Sequence, residues 1–259
     1  MNFYMGSNIN FSYNKTKILN DISLHVKQGS ITSLLGANGQ GKSTLLKIML
    51  GILPPNSGEV LLFGQNLQKY TPKQRALHIS YVPQHSFITF PFSVLEIVLM
   101  GRIASTTWFK QASLEDKELA KEALETLGIF HLKDTNFQTL SGGQKQLTLI
   151  ARALAQGTKI ILMDEPISGL DYGNQIKLLE ILLQLQDKGY TIIKSSHFPD
   201  HAFLLGGDVY ALQNGKIIAS GKTKEIITEE LIFNLYNAKV KIQTSCENKK
   251  ICIPFLKQS

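Results

Sequence analysis

The chain has 259 residues, 43% of them apolar, and a formal net charge of +7 at pH 7, enough apolar content for a full core and one or two lobes. No run reaches the roughly 18 uninterrupted apolar residues of a membrane span, since SVLEIVLMG is short and carries Glu96, and MNFYMGSNIN lacks the basic-then-apolar order of a signal peptide. The basic residues are scattered, without the stripe and interleaved aromatics of a nucleic-acid binder; a basic face near anionic lipid accounts for the charge equally well.

In chain order, Ile9 and Phe11, then Ile22, Leu24 and Val26, alternate as antiparallel strands do. Ile31 to Leu35 form an apolar run predicted as a buried strand. GANGQGKST follows at 36–44, and Lys42 to Leu50 read as a helix ended by Gly51 and Pro54-Pro55. Gly36, Gly39 and Gly41 let successive backbone N–H groups point into one concavity, at which the helix aims its positive end. Lys42 would reach the β- and γ-phosphates of a nucleotide and the Ser43 hydroxyl would ligate Mg²⁺. The stretch matches G-x-x-x-x-G-K-[ST] in strand–loop–helix context, which a glycine-rich turn with an incidental lysine would not require. GEVLLFG at 58–64 reads as a hairpin.

From about Pro91 to Gln156 apolar residues recur at helical spacing in SVLEIVLMG, LEDKELAKEALETLGI and GGQKQLTLIARALAQ. In LSGGQ at 140–144, Ser141 and Gln144 form a capping box. Gly142 and Gly143 are poor first-turn residues, about 1 kcal/mol each worse than Ala, and make sense where a phosphate approaches the backbone. IILMDEP then ends an apolar strand in Asp164 and Glu165. Asp164 suits Mg²⁺ or its water, and Glu165 suits polarising a water; an exposed acidic strand end is the plainer account. A helix over Asn174 to Asp187 separates this strand from Thr191 to Ile193, the strand–helix–strand order of a parallel sheet. The expected division is one domain, 1–259, with 1–86 and 158–227 as a core lobe, 87–157 as an inserted helical lobe and 228–259 as an extension read as a helix and a ragged strand. Cys246 and Cys252, the only cysteines, read as bystanders.

GANGQGKST, YVPQ, LSGGQ, IILMDEP, SGLD at 168–171 and SSH at 195–197 together resemble, in order and spacing, the motif set of ATP-binding cassette (ABC) ATPases, over roughly residues 9 to 225. The resemblance implies an α/β fold: a P-loop NTPase (RecA-like) core with an antiparallel β subdomain and an inserted helical subdomain, working with ATP and Mg²⁺. It implies ATP contacts from Gly36, Ala37, Asn38, Gly39, Gln40, Gly41, Lys42, Ser43 and Thr44, and Mg²⁺ contacts from Ser43, Gln84 and Asp164. Tyr13 matches the aromatic that stacks on adenine, although a cross-strand packing tyrosine explains it too. Gln84 matches the residue that contacts Mg²⁺ and the attacking water and links the site to a membrane partner. Glu165 matches the catalytic base and His197 the residue that holds the γ-phosphate. Ser141 and Gly143 match residues that touch ATP bound to a second copy, and Asp171 lies at that interface. Ile167 departs from the family's usual Thr, at a position that supplies no usual ligand.

The resemblance therefore implies a head-to-tail dimer of this chain with two ATPs between the copies, attached to a separate permease dimer. FPFSVLEIVLMGR, YGNQ and SSHFPDHAF resemble importers of iron chelates, haem, cobalamin and molybdate, with HFPDHAF leaning towards the molybdate and iron-chelate members. That subgroup implies a bacterial subunit, peripheral on the cytoplasmic face of the inner membrane, a periplasmic substrate-binding protein as an indirect partner, and no nucleic acid. An exporter ATPase, a soluble cassette acting on ribosomes or nucleic acid, and a phosphotransferase are the rival readings; LSGGQ opposes the last.

Overall fold

A computed structural model describes residues 4–84, 88–104, 112–245 and 249–255. They fall into two compact units: residues up to Lys69 together with those from Gln186 onward, and Tyr70–Leu185. Cys246 lies outside the described residues.

The first unit opens with β1 (Tyr4–Tyr13) and β2 (Thr16–Val26), paired antiparallel with Ile9 opposite Ile22 and Gly6 opposite Leu24. Their inward residues are the alternating ones of the sequence: Ile9, Ile22, Leu24 and Val26 are all at most 2% exposed. β3 (Ile31–Leu35) is buried throughout, as a strand covered on both faces must be. A tight loop leads to α1 (Lys42–Met49). Then β4 (Ser57–Leu62) turns into the two-residue β5 (Gln65–Asn66), the expected hairpin, and the antiparallel sheet runs β2-β1-β4-β5.

The second unit holds α2 (Pro72–Ala76), β6 (Ile79–Val82), α3 (Val94–Leu99), α4 (Leu114–Thr126), α5 (Gly142–Ala155), β7 (Ile160–Met163) and most of α6 (Tyr172–Asp187). The helical stretch expected over 87–157 falls in this unit, which also contains the parallel pair β6 and β7. SVLEIVLMG folds as α3, capped by Ser93, and passes directly into a 3-10 turn over Met100–Ala104, in which Gly101 lies so close to the Arg152 carbonyl that a Cβ there would sit 2.2 Å from its oxygen. The turn swings Arg102 into a clasp: its Nε lies 2.8 Å from Asp116 Oδ1, and its Nη1 donates to the carbonyls of Ala155 at 3.0 Å and Gln156 at 3.1 Å. Asp116 also closes the capping box of α4 with Ser113; the Arg102 and Ser113 hydrogen bonds hold its carboxyl below the usual range. The guanidinium thus satisfies the carbonyl end of α5 and the carboxylate at the start of α4.

The chain returns to the first unit with β8 (Thr191–Ser196), α7 (Pro199–Leu205), β9 (Asp208–Gln213), β10 (Lys216–Lys222), α8 (Thr223–Ile226) and α9 (Glu229–Tyr236). β3 pairs in parallel with β8 and β9, and β10 pairs antiparallel with β9. The tail is a helix plus a regular hairpin, β11 (Val240–Thr244) and β12 (Lys250–Pro254), rather than a ragged strand. Val240, Ile242 and Cys252 pack on a core formed by Leu35, Phe203, Leu231 and Leu235, each such fully buried apolar side chain being worth about 1.5–3 kcal/mol.

Candidate functional site

The loop between β3 and α1 is shaped by close approaches that only glycine allows. A Cβ on Gly36 would lie 2.5 Å from the Leu212 carbonyl oxygen, and Gly41, at φ 93°, would place one 2.7 Å from Leu19 Cδ2. Asn38 and Gly39 at the crest are exposed, while Thr44 behind it is buried. Gln40 anchors one flank by accepting from the Asn214 backbone N–H. α1 starts at Gly41 with no side-chain cap, whereas α3, α4 and α5 each carry a capping box. A helix start without a side-chain cap suits an anion as acceptor. Lys42 is 5% exposed and donates to the Gly36 and Ala37 carbonyls at 2.8 and 2.9 Å, so its ammonium is held inside the loop. Ser43 is next, half-buried at the start of the helix. This donor set fits a polyphosphate with its Mg²⁺.

At the other nucleotide-related motif, in the second unit, β7 ends where Asp164 donates its N–H to the Val82 carbonyl of β6. Asp164 and Glu165 are only 4% and 8% exposed. Glu165 has φ 44°, in the left-handed region that a glutamate rarely adopts, and sits directly before Pro166. Gln84 Nε2 donates to Glu165 Oε2 at 3.2 Å. Tyr81 on β6 has its phenol pushed up by burial first and by the Asp164 charge second, so it stays protonated beside the carboxylates.

In the same unit, Ser141 caps α5: Gln144 N–H donates to its Oγ at 3.3 Å, and Gln144 Oε1 accepts from the Ser141 N–H at 3.0 Å. A Cβ on Gly142 would meet only the Gly169 carbonyl oxygen at 3.7 Å, and one on Gly143 would meet Leu170 Cδ2 at 3.4 Å, both ordinary contact distances. The chain's own packing thus gives no reason for two glycines there. Asp171 caps α6, accepting from Asn174 N at 2.9 Å and Asn174 Nδ2 at 2.7 Å; those hydrogen bonds hold its carboxyl below the usual range. Helix α6 accordingly begins at Tyr172, two residues before the sequence pattern placed it.

In the first unit, Tyr13 is 44% exposed at the end of β1, its ring held at 88° to Phe11 with centroids 4.8 Å apart. His197 follows β8 and is half-buried. The sequence reading treated its neighbours as subgroup markers only. In the structure Phe198 lies between two imidazoles, 4.0 Å from His197 and 4.9 Å from His201. The signal was an aromatic flanked by histidines in HFPDH. Ile167 is 4% exposed, a core residue without a polar role.

The ABC transporter family profile matches residues 19–168. An uncharacterized ABC transporter ATP-binding protein of Haemophilus influenzae is 42% identical over 229 residues, covering 88% of this chain and 87% of the relative. The ferric enterobactin transport ATP-binding protein FepC of Escherichia coli is 37% identical, covering 92% and 88%. Among solved structures, one described as a metal-chelate type ABC transporter in an inward-facing conformation aligns with a TM-score of 0.87 and 33% identity, over 99% of both chains.

Proposed function

The chain belongs to the ABC transporter family as an ATP-binding cassette ATPase working with ATP and Mg²⁺, and on that premise we propose that it energises uptake of a metal chelate, or of an oxyanion such as molybdate, through a separate permease. The observation that carries the importer reading is the alignment with a metal-chelate type transporter through 99% of both chains, tail included. The named relative FepC supports the same class of cargo. Among the described residues no helix is long and apolar enough to cross a membrane. In this reading the chain lies peripherally on the cytoplasmic face, and a periplasmic binding protein delivers the cargo.

The residues divide the work as follows. The loop N–H groups and Lys42 hold the phosphates, and Tyr13 offers its exposed face to adenine. Ser43, Gln84 and Asp164 serve Mg²⁺, Glu165 polarises the attacking water, and His197 contacts the γ-phosphate. Ser141, Gly143 and Asp171 face the nucleotide of a second copy. Head-to-tail closure of two copies moves the permease, which docks near Gln84 and the segment that follows it. Hydrolysis lets the copies part.

The test compares cellular metals by elemental mass spectrometry in native cells carrying the intact chain or Glu165→Gln, grown with metals scarce. A selective fall in iron, molybdenum or cobalt is expected. Unchanged levels of all three overturn the metal-importer reading.

A further inference from the structure

The segment that carries His197 is tied to the end of the chain. Asp200, the second residue of α7, accepts the Cys252 backbone N–H of β12 at 2.8 Å on Oδ1. Cys252 stands opposite Ile242 across the hairpin, and the Ile242 N–H is taken by Glu229 at 2.9 Å. The hairpin thus turns ladder-free N–H groups towards α7 and α9. Ala202 and Phe203 of α7 are buried in the core on which Val240, Ile242 and Cys252 pack. The Cys252 thiol is pushed up to about 12 by burial and by the Asp200 charge, so it stays protonated and acts there as a packing group.

From α7 the constraint reaches His197 in two steps. The Phe198 N–H donates to Ser196 Oγ at 3.1 Å, fixing the turn out of β8. The Phe198 ring touches both His197 and His201, at 4.0 and 4.9 Å. His201 Nδ1 is buried with no hydrogen-bond partner. Its ring, 4.9 Å from that of Phe198, passes the placement of α7 to the Phe198 ring by packing.

We propose that the C-terminal hairpin braces α7 through the Asp200–Cys252 contact, and that Asp200, Phe198 and His201 are positioning residues for the His197 ring. The proposal rests on the reading of His197 as a γ-phosphate contact. A brace of this kind acts on nucleotides that have a γ-phosphate and leaves ADP alone.

The test is affinity of the purified full-length chain for the non-hydrolysable adenylyl imidodiphosphate and for ADP, with Mg²⁺, alongside thermal unfolding of each variant. His197→Ala is expected to weaken the triphosphate analogue about tenfold, the loss of one hydrogen bond to a charged group, with ADP unchanged. Asp200→Ala is expected to weaken the analogue several-fold. Asp200→Asn, which keeps an oxygen acceptor, is expected to restore it. Asp200→Ala in the His197→Ala background is expected to add nothing, since its effect passes through that ring. Equal losses in Asp200→Ala and Asp200→Asn would make Asp200 only a helix-end charge and overturn the brace, as would a further loss in the double variant. If His197→Ala leaves the ratio of the two affinities unchanged, the γ-phosphate reading itself falls. Should Asp200→Ala not fold, Phe198→Leu decides: it removes the ring contacts and leaves the Asp200–Cys252 bond. An unchanged affinity ratio in that variant overturns the proposal.

Discussion

Gln84 donates to the Glu165 carboxylate at 3.2 Å, so the two side chains expected to meet the attacking water are already in contact. Glu165 is held for this at a cost, because its φ of 44° strains any residue with a Cβ. Glu165→Gln keeps the backbone, the volume and the bond to Gln84, and removes only the base. Turnover is expected to fall on the order of 10²–10⁴-fold while ATP affinity is kept, measured by steady-state hydrolysis and equilibrium binding. Hydrolysis near the wild-type rate would remove Glu165 from the base role.

Gly143 gives a prediction of opposite signs. Alanine there gains helix propensity of about 1 kcal/mol and meets Leu170 Cδ2 at 3.4 Å and Asn174 Nδ2 at 3.7 Å, both ordinary contacts. Gly143→Ala is therefore expected to melt no lower than wild type, yet to lose ATPase activity under conditions where two copies associate, because in the proposed dimer the added methyl would stand where the second copy's nucleotide approaches. Full activity would mean that nothing approaches this helix end.

The clasp made by Arg102 predicts a stability loss at residues with no assigned part in nucleotide binding. Asp116 and Arg102 are both largely buried, with side chains 7% and 13% exposed, so Arg102→Ala leaves the carboxylate to Ser113 alone, without its cationic partner, and takes the shared donor from two helix-end carbonyls. A destabilisation of about 3 kcal/mol is expected in urea unfolding. Arg102→Lys is expected to recover only part of it, since an ammonium cannot reproduce the fork.

Lys194 on β8 is fully buried, its Nζ has no hydrogen-bond partner, and burial pushes its pKa down to about 8. A depressed lysine costs stability in full below the folded value. That cost is relieved as pH rises from about 8 towards the ordinary 10.5, where the unfolded chain keeps the proton that the folded chain has lost. Lys194→Met is expected to stabilise the protein at pH 7, on the order of a few kcal/mol, and to stabilise it less at pH 9.5. His201, pushed down to about 4 by burial and then by the Lys194 charge, makes wild type lose stability as pH falls from 6.5 towards 4. That loss shrinks in Lys194→Met. A stability gap that does not narrow with rising pH would show that Lys194 stays protonated in the folded state.

The legible parts of this molecule were those written in neighbouring residues. The alternation of Ile9, Phe11, Ile22 and Leu24, the apolar run before GANGQGKST and the Ser141–Gln144 box each fold as read, since period and capping are local properties. What escaped depends on distant partners. SVLEIVLMG keeps helical spacing, but the closeness of Gly101 to Arg152 is set by a helix fifty residues on, and only that closeness turns Arg102 towards Asp116. The β11–β12 hairpin has weak alternation because Ile251 and Ile253 face solvent, at 41% and 40% exposure, so its pattern looked ragged. Lys194 interrupts TIIKSS without a sequence sign that the strand is covered on both faces there. The catalytic candidates could be chosen from the sequence by residue type, but their conformations could not: nothing in DEP announces a left-handed glutamate.

The Arg102 clasp has a mechanical consequence. It grips α5 at its carbonyl end, and Gln156 just beyond ties that same end to Ala76 and Ile79. The other end of α5, fourteen residues away, is the Ser141 cap. A hydrogen-bonded helix of that length spans about 21 Å. The clasp at one tip and the serine with its glycines at the other are thereby joined through a single hydrogen-bonded element.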